Sequence, residues 1–250
     1  MGERLCKRLD QFSIEYTRLD RSGTVPNGVD FIFDLAGYGN IAGQDEVGEI
    51  YKANLMRVID TLYEAKRLES KYLFISTSSV LLPKQTPYSL SKRAAEEFLR
   101  YMVDTCSIKA AIARPYTIIG VGEQKQHLIP RLIDSCLNGT AMPFVSEPVH
   151  DFLDVDDFVD ALWFIKEKGK FGGEVYDVGS GISYSNEEVL EIVEGLTQKK
   201  ANVFEVDSLR SYDTKNWKAD NGAIRKLGWR QNKLLTQTIA EMIYHERENT

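Results

Sequence analysis

Short apolar runs alternate with longer stretches of helical periodicity along the first half of the chain. Residues 29–35, 71–76 and 109–114 are apolar runs of strand length. Between and after them, residues 46–68 and 88–103 repeat apolar side chains at helical spacing. Strands that alternate with helices are typical of a parallel sheet with helices on both faces. The pattern therefore predicts an α/β fold with a doubly wound parallel sheet.

The same pattern continues at both ends of the chain. Leu5 and Leu9 lie at helical spacing, and residues 14–19 are typical of a strand. Asp156 and Asn186 are the expected N-caps of two helices, because short polar side chains accept the first free N–H groups. After residue 120 the pattern predicts a smaller α/β lobe, with helices at 126–137, 158–166, 187–196, 221–227 and 234–245 and strands at 151–155, 174–178 and 202–206.

The length fits a core with a smaller lobe. A chain of 250 residues can form one large α/β domain or two unequal parts. We expect a core of residues 1–120 and a lobe of residues 121–250. No flexible linker separates them, so residues 151–165 and 174–178 are expected to return to the core, which makes the two parts interleave.

The composition narrows the possible function classes. The chain is 43% hydrophobic and 27% charged, as in ordinary globular proteins, and its net charge of −6 argues against nucleic acid or membrane partners. No apolar run approaches the roughly 20 residues that span a bilayer, and the first residues contain no signal-peptide apolar region. Three cysteines and three histidines, widely spaced, indicate a reduced cytoplasmic protein without a metal site.

Tyr88 and Lys92 carry the first chemical signal. Residues four apart share a helix face, so the phenol and the ammonium are expected to point into one space. A nearby cation lowers the pKa of a tyrosine, which would let Tyr88 exchange a proton with a substrate hydroxyl. A hydroxyl from Thr77, at the end of an apolar run, could hold that oxygen. The alternative is an exposed helical pair, because so short a motif also occurs by chance.

Further candidates lie at the carboxyl ends of predicted strands, where parallel sheets bind ligands. Asp20 could accept hydrogen bonds from ribose hydroxyls and disfavour a 2′-phosphate, with Arg21 directly after it. Residues 35–37 end a buried strand, where Ala36 and Gly37 are small enough to let a ligand approach the backbone, and Pro115 leaves the next backbone groups free. Asn54, inside an apolar helical stretch, could fix backbone or water. Each of these positions, taken alone, also has a simpler interpretation: an ordinary turn or strand end for the first three, and an exposed amide for Asn54.

In order and spacing these features resemble the extended short-chain dehydrogenase/reductase family, specifically its nucleotide-sugar epimerase/dehydratase branch. The resemblance implies a Rossmann-like core that binds a dinucleotide. It covers nearly the whole chain and rests on the joint occurrence of its motifs: Leu-Asp-Arg at 19–21, Phe-Asp-Leu-Ala-Gly at 33–37, Asn54, Ser-Thr-Ser-Ser at 76–79, Tyr88 with Lys92, Arg114 with Pro115, the acidic run at 151–157, Tyr-Asp-Val-Gly-Ser-Gly at 176–181 and Leu-Gly-Trp at 227–229.

The resemblance also implies an activity and a site. Tyr88 would be the acid/base, Lys92 would hold the nicotinamide ribose and lower the pKa of Tyr88, and Thr77 would bind the reacting sugar oxygen during hydride transfer to NAD. Nucleotide-sugar contacts would come from Ser78, Ser79 and His150, and a homodimer would form through helices 46–68 and 88–103. Together with Tyr88 and Lys92, the NAD-binding residues would be Gly2, Asp20, Arg21, Leu35, Ala36, Gly37, Asn54, Pro115, Tyr116 and Thr117.

The chain departs from the family pattern at its start, directly after Thr77 and at position 150, among other places. The opening strand and the first two glycines of the Gly-rich turn are absent, and Gly2 takes the place of the third. Ser78 and Ser79 replace the carboxylates of the dehydratase pattern, which weighs against a 4,6-dehydratase. His150 stands where many relatives have arginine.

The absent opening strand leaves three explanations open: a shortened reading frame, a degenerate relative, or another segment that replaces the strand. NAD binding is then in question, and two alternatives to an enzyme remain. One is a non-catalytic homologue that binds a sugar nucleotide or a partner protein without NAD turnover. The other is a structural subunit that pairs through its two long helices.

Overall fold

The chain has an α/β fold, and the computed structural model describes residues 1–20, 23–41, 43–207 and 216–248. The fold consists of two compact units, each drawn from three separate stretches of chain. The first unit is Met1–Pro115, Val159–Val178 and Gly222–Trp229, and the second is Tyr116–Phe158, Gly179–Asn221 and Arg230–Thr250.

Nine strands and nine α-helices are present in the described residues. The strands are β1 (Phe31–Asp34), β2 (Lys71–Ile75), β3 (Ala110–Pro115), β4 (Thr117–Ile119), β5 (Met142–Phe144), β6 (Val149–Asp154), β7 (Gly172–Val178), β8 (Ser183–Ser185) and β9 (Val203–Glu205). The helices are α1 (Gly2–Gln11), α2 (Val47–Tyr51), α3 (Arg57–Leu68), α4 (Pro87–Cys106), α5 (Leu128–Asn138), α6 (Val155–Lys168), α7 (Asn186–Thr197), α8 (Gly222–Lys226) and α9 (Leu235–Glu248). Apart from residues 14–19, the predicted elements are confirmed with small shifts at their ends; β4, β5 and β8 are additional.

In the first unit, β1, β2, β3 and β7 form a parallel sheet in that order. Helices α3 and α4 cover one face, where Leu99 packs in one cluster with Tyr72 and Phe74. Helix α1 and the later part of α6 cover the other face, where Leu5 packs with Phe33. Helices on both faces of a parallel sheet define a doubly wound Rossmann-like fold, so the predicted fold class is confirmed.

Residues 14–19 are not a strand, and this prediction is wrong. The segment is irregular and exposed, with Tyr16 and Leu19 at 39% and 40% of their full exposure. An extended segment becomes a strand only when a neighbour pairs with it. Among the described residues, β1 is the sheet edge and β2 is its one neighbour, so nothing pairs with residues 14–19. Ile14 packs against the cluster that contains Leu5 and Leu9, but Tyr16 and Leu19 stay largely exposed.

The predicted helix at residues 46–68 forms in three consecutive parts. Helix α2 continues into one π-helical turn, Lys52–Met56, which continues into α3. The π turn is wider than an α-helical turn because its hydrogen bonds join residues five apart. It carries Asn54, whose side chain is fully buried.

The second unit contains two small sheets and its own core. Strand β6 pairs in parallel with β4 and antiparallel with β8, and β5 pairs in parallel with β9. Helices α5, α7 and α9 pack together around these strands through Leu132, Val193 and Ile239, all fully buried. The core thus comes from three helices that are far apart in the sequence.

Two predicted N-caps are wrong by one or two residues. Helix α6 begins before Asp156, and the Asp154 carboxylate accepts the backbone N–H of Asp156 at 2.8 Å. Helix α7 is capped by Ser185, whose hydroxyl accepts the N–H of Glu188 at 3.1 Å while the Glu188 carboxylate accepts the N–H of Ser185. In both cases an earlier oxygen already satisfies the free N–H groups, so the helix starts sooner.

The described ranges contain neither a helix suited to crossing a membrane nor a metal-binding cluster. No described helix combines the length and apolar character needed to cross a membrane. The same part of the chain has no group of three or more His, Cys, Asp or Glu side chains arranged to hold a metal ion.

Candidate active site

The site begins where β2 ends. Thr77 follows the strand and caps a short 3-10 turn, Ser78–Leu81, by accepting the backbone N–H of Ser79 at 3.2 Å. Its hydroxyl also lies 2.8 Å from the Ser79 hydroxyl. This arrangement fixes the Thr77 side chain at the carboxyl edge of the parallel sheet, where such sheets bind ligands.

Helix α4 brings Tyr88 to the same place. The helix starts with a capping box, in which the Thr86 hydroxyl accepts the N–H of Ser89 and the Ser89 hydroxyl accepts the N–H of Thr86, and Pro87 occupies its first turn. Tyr88 therefore lies in the first helical turn, close enough to Thr77 for that side chain to lower the pKa of the phenol. The predicted pair of hydroxyls is brought together in the structure.

Lys92 lies one turn further along α4 and is buried, at 2% exposure. Its ammonium donates to the carbonyl of Ala36 at 3.1 Å and to that of Ile75 at 2.9 Å. It also lies 4.6 Å from the ring centre of Phe74. The cation thus joins the ends of β1 and β2. Burial lowers the pKa of Lys92 to about 8, against the opposing attraction of Asp34.

The expected effect of Lys92 on Tyr88 is wrong. Burial of the phenol raises the pKa of Tyr88 to about 12, and the nearby Thr77 side chain offsets this rise only in part. Lys92 does not contribute to this pKa, because its ammonium is directed to two backbone carbonyls. In this structure Tyr88 is therefore a protonated phenol near neutral pH.

A buried charge cluster supports this corner of the sheet, and the sequence reasoning missed it. Asp34, at 4% exposure, accepts from the Tyr72 hydroxyl and from the Arg57 guanidinium, the latter at 2.6 Å. It also accepts the N–H of Ala36 at 3.2 Å. Asp34 thereby orders the turn whose carbonyl holds Lys92. The available signal was a carboxylate inside an apolar strand, which needs a buried partner.

Asn54 connects the π-helical turn to the first turn of α4. Its amide donates to the Tyr38 carbonyl at 2.7 Å and to the Ser91 hydroxyl at 3.0 Å, and its oxygen accepts the Tyr38 N–H at 2.9 Å. Ser91 in turn donates to the Tyr88 carbonyl at 2.7 Å. A fully bonded buried amide of this kind fixes the backbone on both sides of the site.

The other predicted cofactor residues of the first unit lie in different surroundings. Leu35 packs in the cluster under α1, and Pro115 is buried at the end of β3. Gly37 is exposed, and a Cβ there would lie 3.7 Å from the Lys92 ammonium. Gly2 and Asp20 are exposed, the first at the start of α1. Arg21 lies outside the described residues.

Three predicted contacts belong to the second unit. Tyr116 directly follows β3 in the chain, and Thr117 begins β4. His150 lies in β6, with its ring centre 5.5 Å from that of Trp217 and 5.7 Å from that of Phe152. Their roles toward a ligand stay predictions.

A doubly wound parallel sheet with a threonine, a tyrosine and a lysine at its carboxyl edge is the arrangement that the resemblance to the extended short-chain dehydrogenases/reductases implies. Residues 14–179, more than half of the chain, match the NAD dependent epimerase/dehydratase family, and the protein belongs to this family. It is thus a member of a family of NAD-dependent nucleotide-sugar epimerases and dehydratases.

Two curated relatives have the same sequence identity to this chain but match different shares of it. The low-salt glycan biosynthesis protein Agl12 of Haloferax volcanii is 28% identical over 151 residues, 59% of this chain and 48% of that protein. The dTDP-D-glucose 4,6-dehydratase of Bos taurus is 28% identical over 222 residues, 77% of this chain and 59% of that enzyme. The chain therefore spans only about half of the length of these relatives.

A solved structure shares the fold over the whole chain. MoeE5 in complex with UDP-glucuronic acid and NAD has a TM-score of 0.89 and 20% sequence identity, and the match covers 100% of this chain and 96% of that chain. At this identity the likeness establishes the fold, which agrees with the layers described above.

Proposed function

We propose that the protein is an NAD-dependent epimerase or oxidoreductase that acts on a nucleotide sugar through hydride transfer, with Tyr88 as the acid/base. The observation that carries this proposal is the position of Tyr88 beside Thr77, one helical turn from the buried Lys92 ammonium. Family membership supports the cofactor and the substrate class. Ser78 and Ser79 follow Thr77 where a dehydratase would need carboxylates, which favours epimerase or redox chemistry.

The residues around Lys92 fit the nicotinamide ribose of NAD. An ammonium has three N–H donors, and two of them are used by Ala36 and Ile75, so one is left for a ribose hydroxyl. Ser76, buried at 3% exposure, has a hydroxyl without a partner in the described part of the chain. Gly37 leaves the backbone open beside Lys92. When bound, NAD would supply a hydride acceptor for a sugar carbon.

The remaining contacts are assigned on the family pattern. We propose Ser78, Ser79 and His150 as substrate contacts. The residues proposed to hold NAD with Tyr88 and Lys92 are Gly2, Asp20, Arg21, Leu35, Ala36, Gly37, Asn54, Pro115, Tyr116 and Thr117.

The protonation state of Tyr88 defines its part in the reaction. A phenol with a pKa of about 12 donates a proton readily to a developing alkoxide but rarely accepts one at neutral pH. Thr77 keeps the substrate oxygen next to this phenol. Reduction of a keto sugar therefore matches the protein as it stands, and oxidation requires added positive charge near Tyr88 to lower its pKa.

Substitution of Tyr88 tests this role. Tyr88→Phe removes the acid/base hydroxyl and should lower turnover of UDP-glucose with NAD by about 10²- to 10⁴-fold, the usual range for a lost acid/base. NAD affinity, measured by calorimetry, should change little. Tyr101→Phe makes the same chemical change on the exposed side of α4 and should have no effect. Turnover retained by Tyr88→Phe would refute the acid/base role of Tyr88. No NAD binding up to millimolar concentration would refute the proposal that the protein is an NAD-dependent enzyme.

The second candidate is a homologue that binds a sugar nucleotide without NAD turnover. It is favoured by the exposed, irregular segment at residues 14–20 and by the exposed Gly2, where the adenosine and pyrophosphate contacts of the family would lie. Calorimetry separates the two: binding of UDP-glucose together with no detectable NAD binding would support this candidate.

The outer face of α3 and α4 supports a homodimer. Tyr63 and Tyr101 are 52% and 56% exposed, and the ring of Phe98 lies 6.5 Å and 5.9 Å from theirs. A contiguous aromatic patch on a soluble surface is typical of an interface. Tyr101→Glu should convert a dimer into a monomer by analytical ultracentrifugation; an unchanged sedimentation coefficient would refute this interface.

A further inference from the structure

A cavity of about 470 Å³ lies beside α4 in the first unit. Its walls are the loop at residues 80–83, Gln85, the α4 side chains Arg93, Glu96, Glu97 and Arg100, and Arg114 at the end of β3. Thr77, Tyr88 and Lys92 do not line it, so it is distinct from the candidate active site. Its volume is within the range of small-molecule sites.

The charges around the cavity leave one cation in surplus. Glu96 is buried at 1% exposure and accepts from Arg114 at 2.8 Å and 2.5 Å and from Arg100 at 3.1 Å. Arg100 also pairs with Glu97 at 2.8 Å. Arg93 has no partner within the described ranges. Three guanidinium groups face two carboxylates, so the cavity favours an anion, and the five N–H donors of Arg93 can hold it.

Gln85 provides a second, neutral polar group. Its amide nitrogen donates to the carbonyl of Leu82 and to that of Ser79 at 3.3 Å, which fixes the orientation of the amide. Its Oε1 is buried and has no partner among the described residues. A buried acceptor left unpaired destabilises the protein, whereas a ligand hydroxyl would satisfy it.

We propose that this cavity binds a sugar monophosphate, whose phosphate pairs with Arg93 and whose hydroxyl donates to Gln85. The size admits a hexose with its phosphate, and the polar groups match one anion and at least one hydroxyl. The proposal does not depend on NAD binding or on Tyr88.

Calorimetry with glucose 1-phosphate tests the site on the full chain. The wild type should bind it, and Arg93→Gln should bind it at least tenfold more weakly, the effect of a lost charged hydrogen bond. Lys84→Gln removes the same charge from an exposed neighbour outside the cavity and should change binding less than twofold. Gln85→Leu should weaken glucose 1-phosphate but not inorganic phosphate. Far-ultraviolet circular dichroism confirms that each variant is folded.

Each contrary outcome overturns a stated part of the proposal. No binding at about 10 mM, or equal losses in Arg93→Gln and Lys84→Gln, would overturn the site. Inorganic phosphate that binds as tightly as glucose 1-phosphate would overturn the sugar assignment. Binding lost in Tyr88→Phe would place the ligand in the candidate active site instead, which separates this proposal from the proposed function.

Discussion

The buried ammonium of Lys92 makes a quantitative prediction about stability. Its pKa falls from the ordinary value of 10.5 to about 8 in the folded protein, and burial is the main cause. Each pKa unit corresponds to about 1.4 kcal/mol. At pH 7 the protonated, buried Lys92 therefore lowers the free energy of unfolding by about 3 kcal/mol.

The sign of the pH dependence follows from the lowered pKa of Lys92. Below pH 8 both states hold the proton, and the full cost is present. Between pH 8 and 10.5 the folded state has released the proton while the unfolded state retains it, so the free energy of unfolding rises with pH. By about pH 9.5, about 2 kcal/mol of the cost has been removed.

Urea unfolding of the wild type and of Lys92→Met measures this contribution. Methionine keeps a long apolar side chain over Phe74 but has no proton to release. Between about pH 7 and pH 9.5 the wild type should gain about 2 kcal/mol relative to Lys92→Met. The exposed Lys84→Met should follow the wild type. Parallel pH curves for the wild type and Lys92→Met would show that the ammonium is not buried as described.

Three other substitutions test the packing. Asp34→Asn leaves the Arg57 guanidinium without its carboxylate and should lower the free energy of unfolding by about 3–5 kcal/mol in urea; a loss below about 1 kcal/mol would contradict the buried pair. Gly179→Ala should cost about 1–3 kcal/mol by thermal unfolding, because its Cβ would lie 2.6 Å from that of Ala219. Gly195→Ala, in α7 with nothing within 4 Å, should instead stabilise by about 0.5–1 kcal/mol, and equal effects of the two glycine variants would refute the packing argument.

Continuous apolar runs made the strands of the main sheet predictable. The segments that became β2 and β3 are buried on both faces, so their sequence alone identifies them. Residues 14–19 mix apolar and polar side chains, as a strand with one buried face does, but they have no neighbouring strand, and pairing is a property of the whole sheet. The residues of a strand do not contain this information.

The candidate site was predictable in residue identity but not in electrostatics. The four-residue spacing identified Tyr88 and Lys92, and the order of motifs added Thr77. The raised pKa of Tyr88 comes mainly from burial of the phenol, and the Lys92 ammonium does not offset it because it donates to the carbonyls of Ile75 in β2 and of Ala36 in the turn after β1. Such backbone partners leave no trace in the sequence. Asp34 was visible as a charge in an apolar strand, but its partners were not.

The π-helical turn at Lys52–Met56 also sets the rotational phase of the helix that contains it. Each α-helical residue advances the helix by about 100°, so deletion of one residue in this turn would rotate α3 by more than a quarter of a circle relative to α2. Either the Asn54 amide or the buried row that includes Leu62 would then face solvent. A single-residue gap at this point in an aligned relative would therefore mark a protein whose site is braced by some group other than this amide.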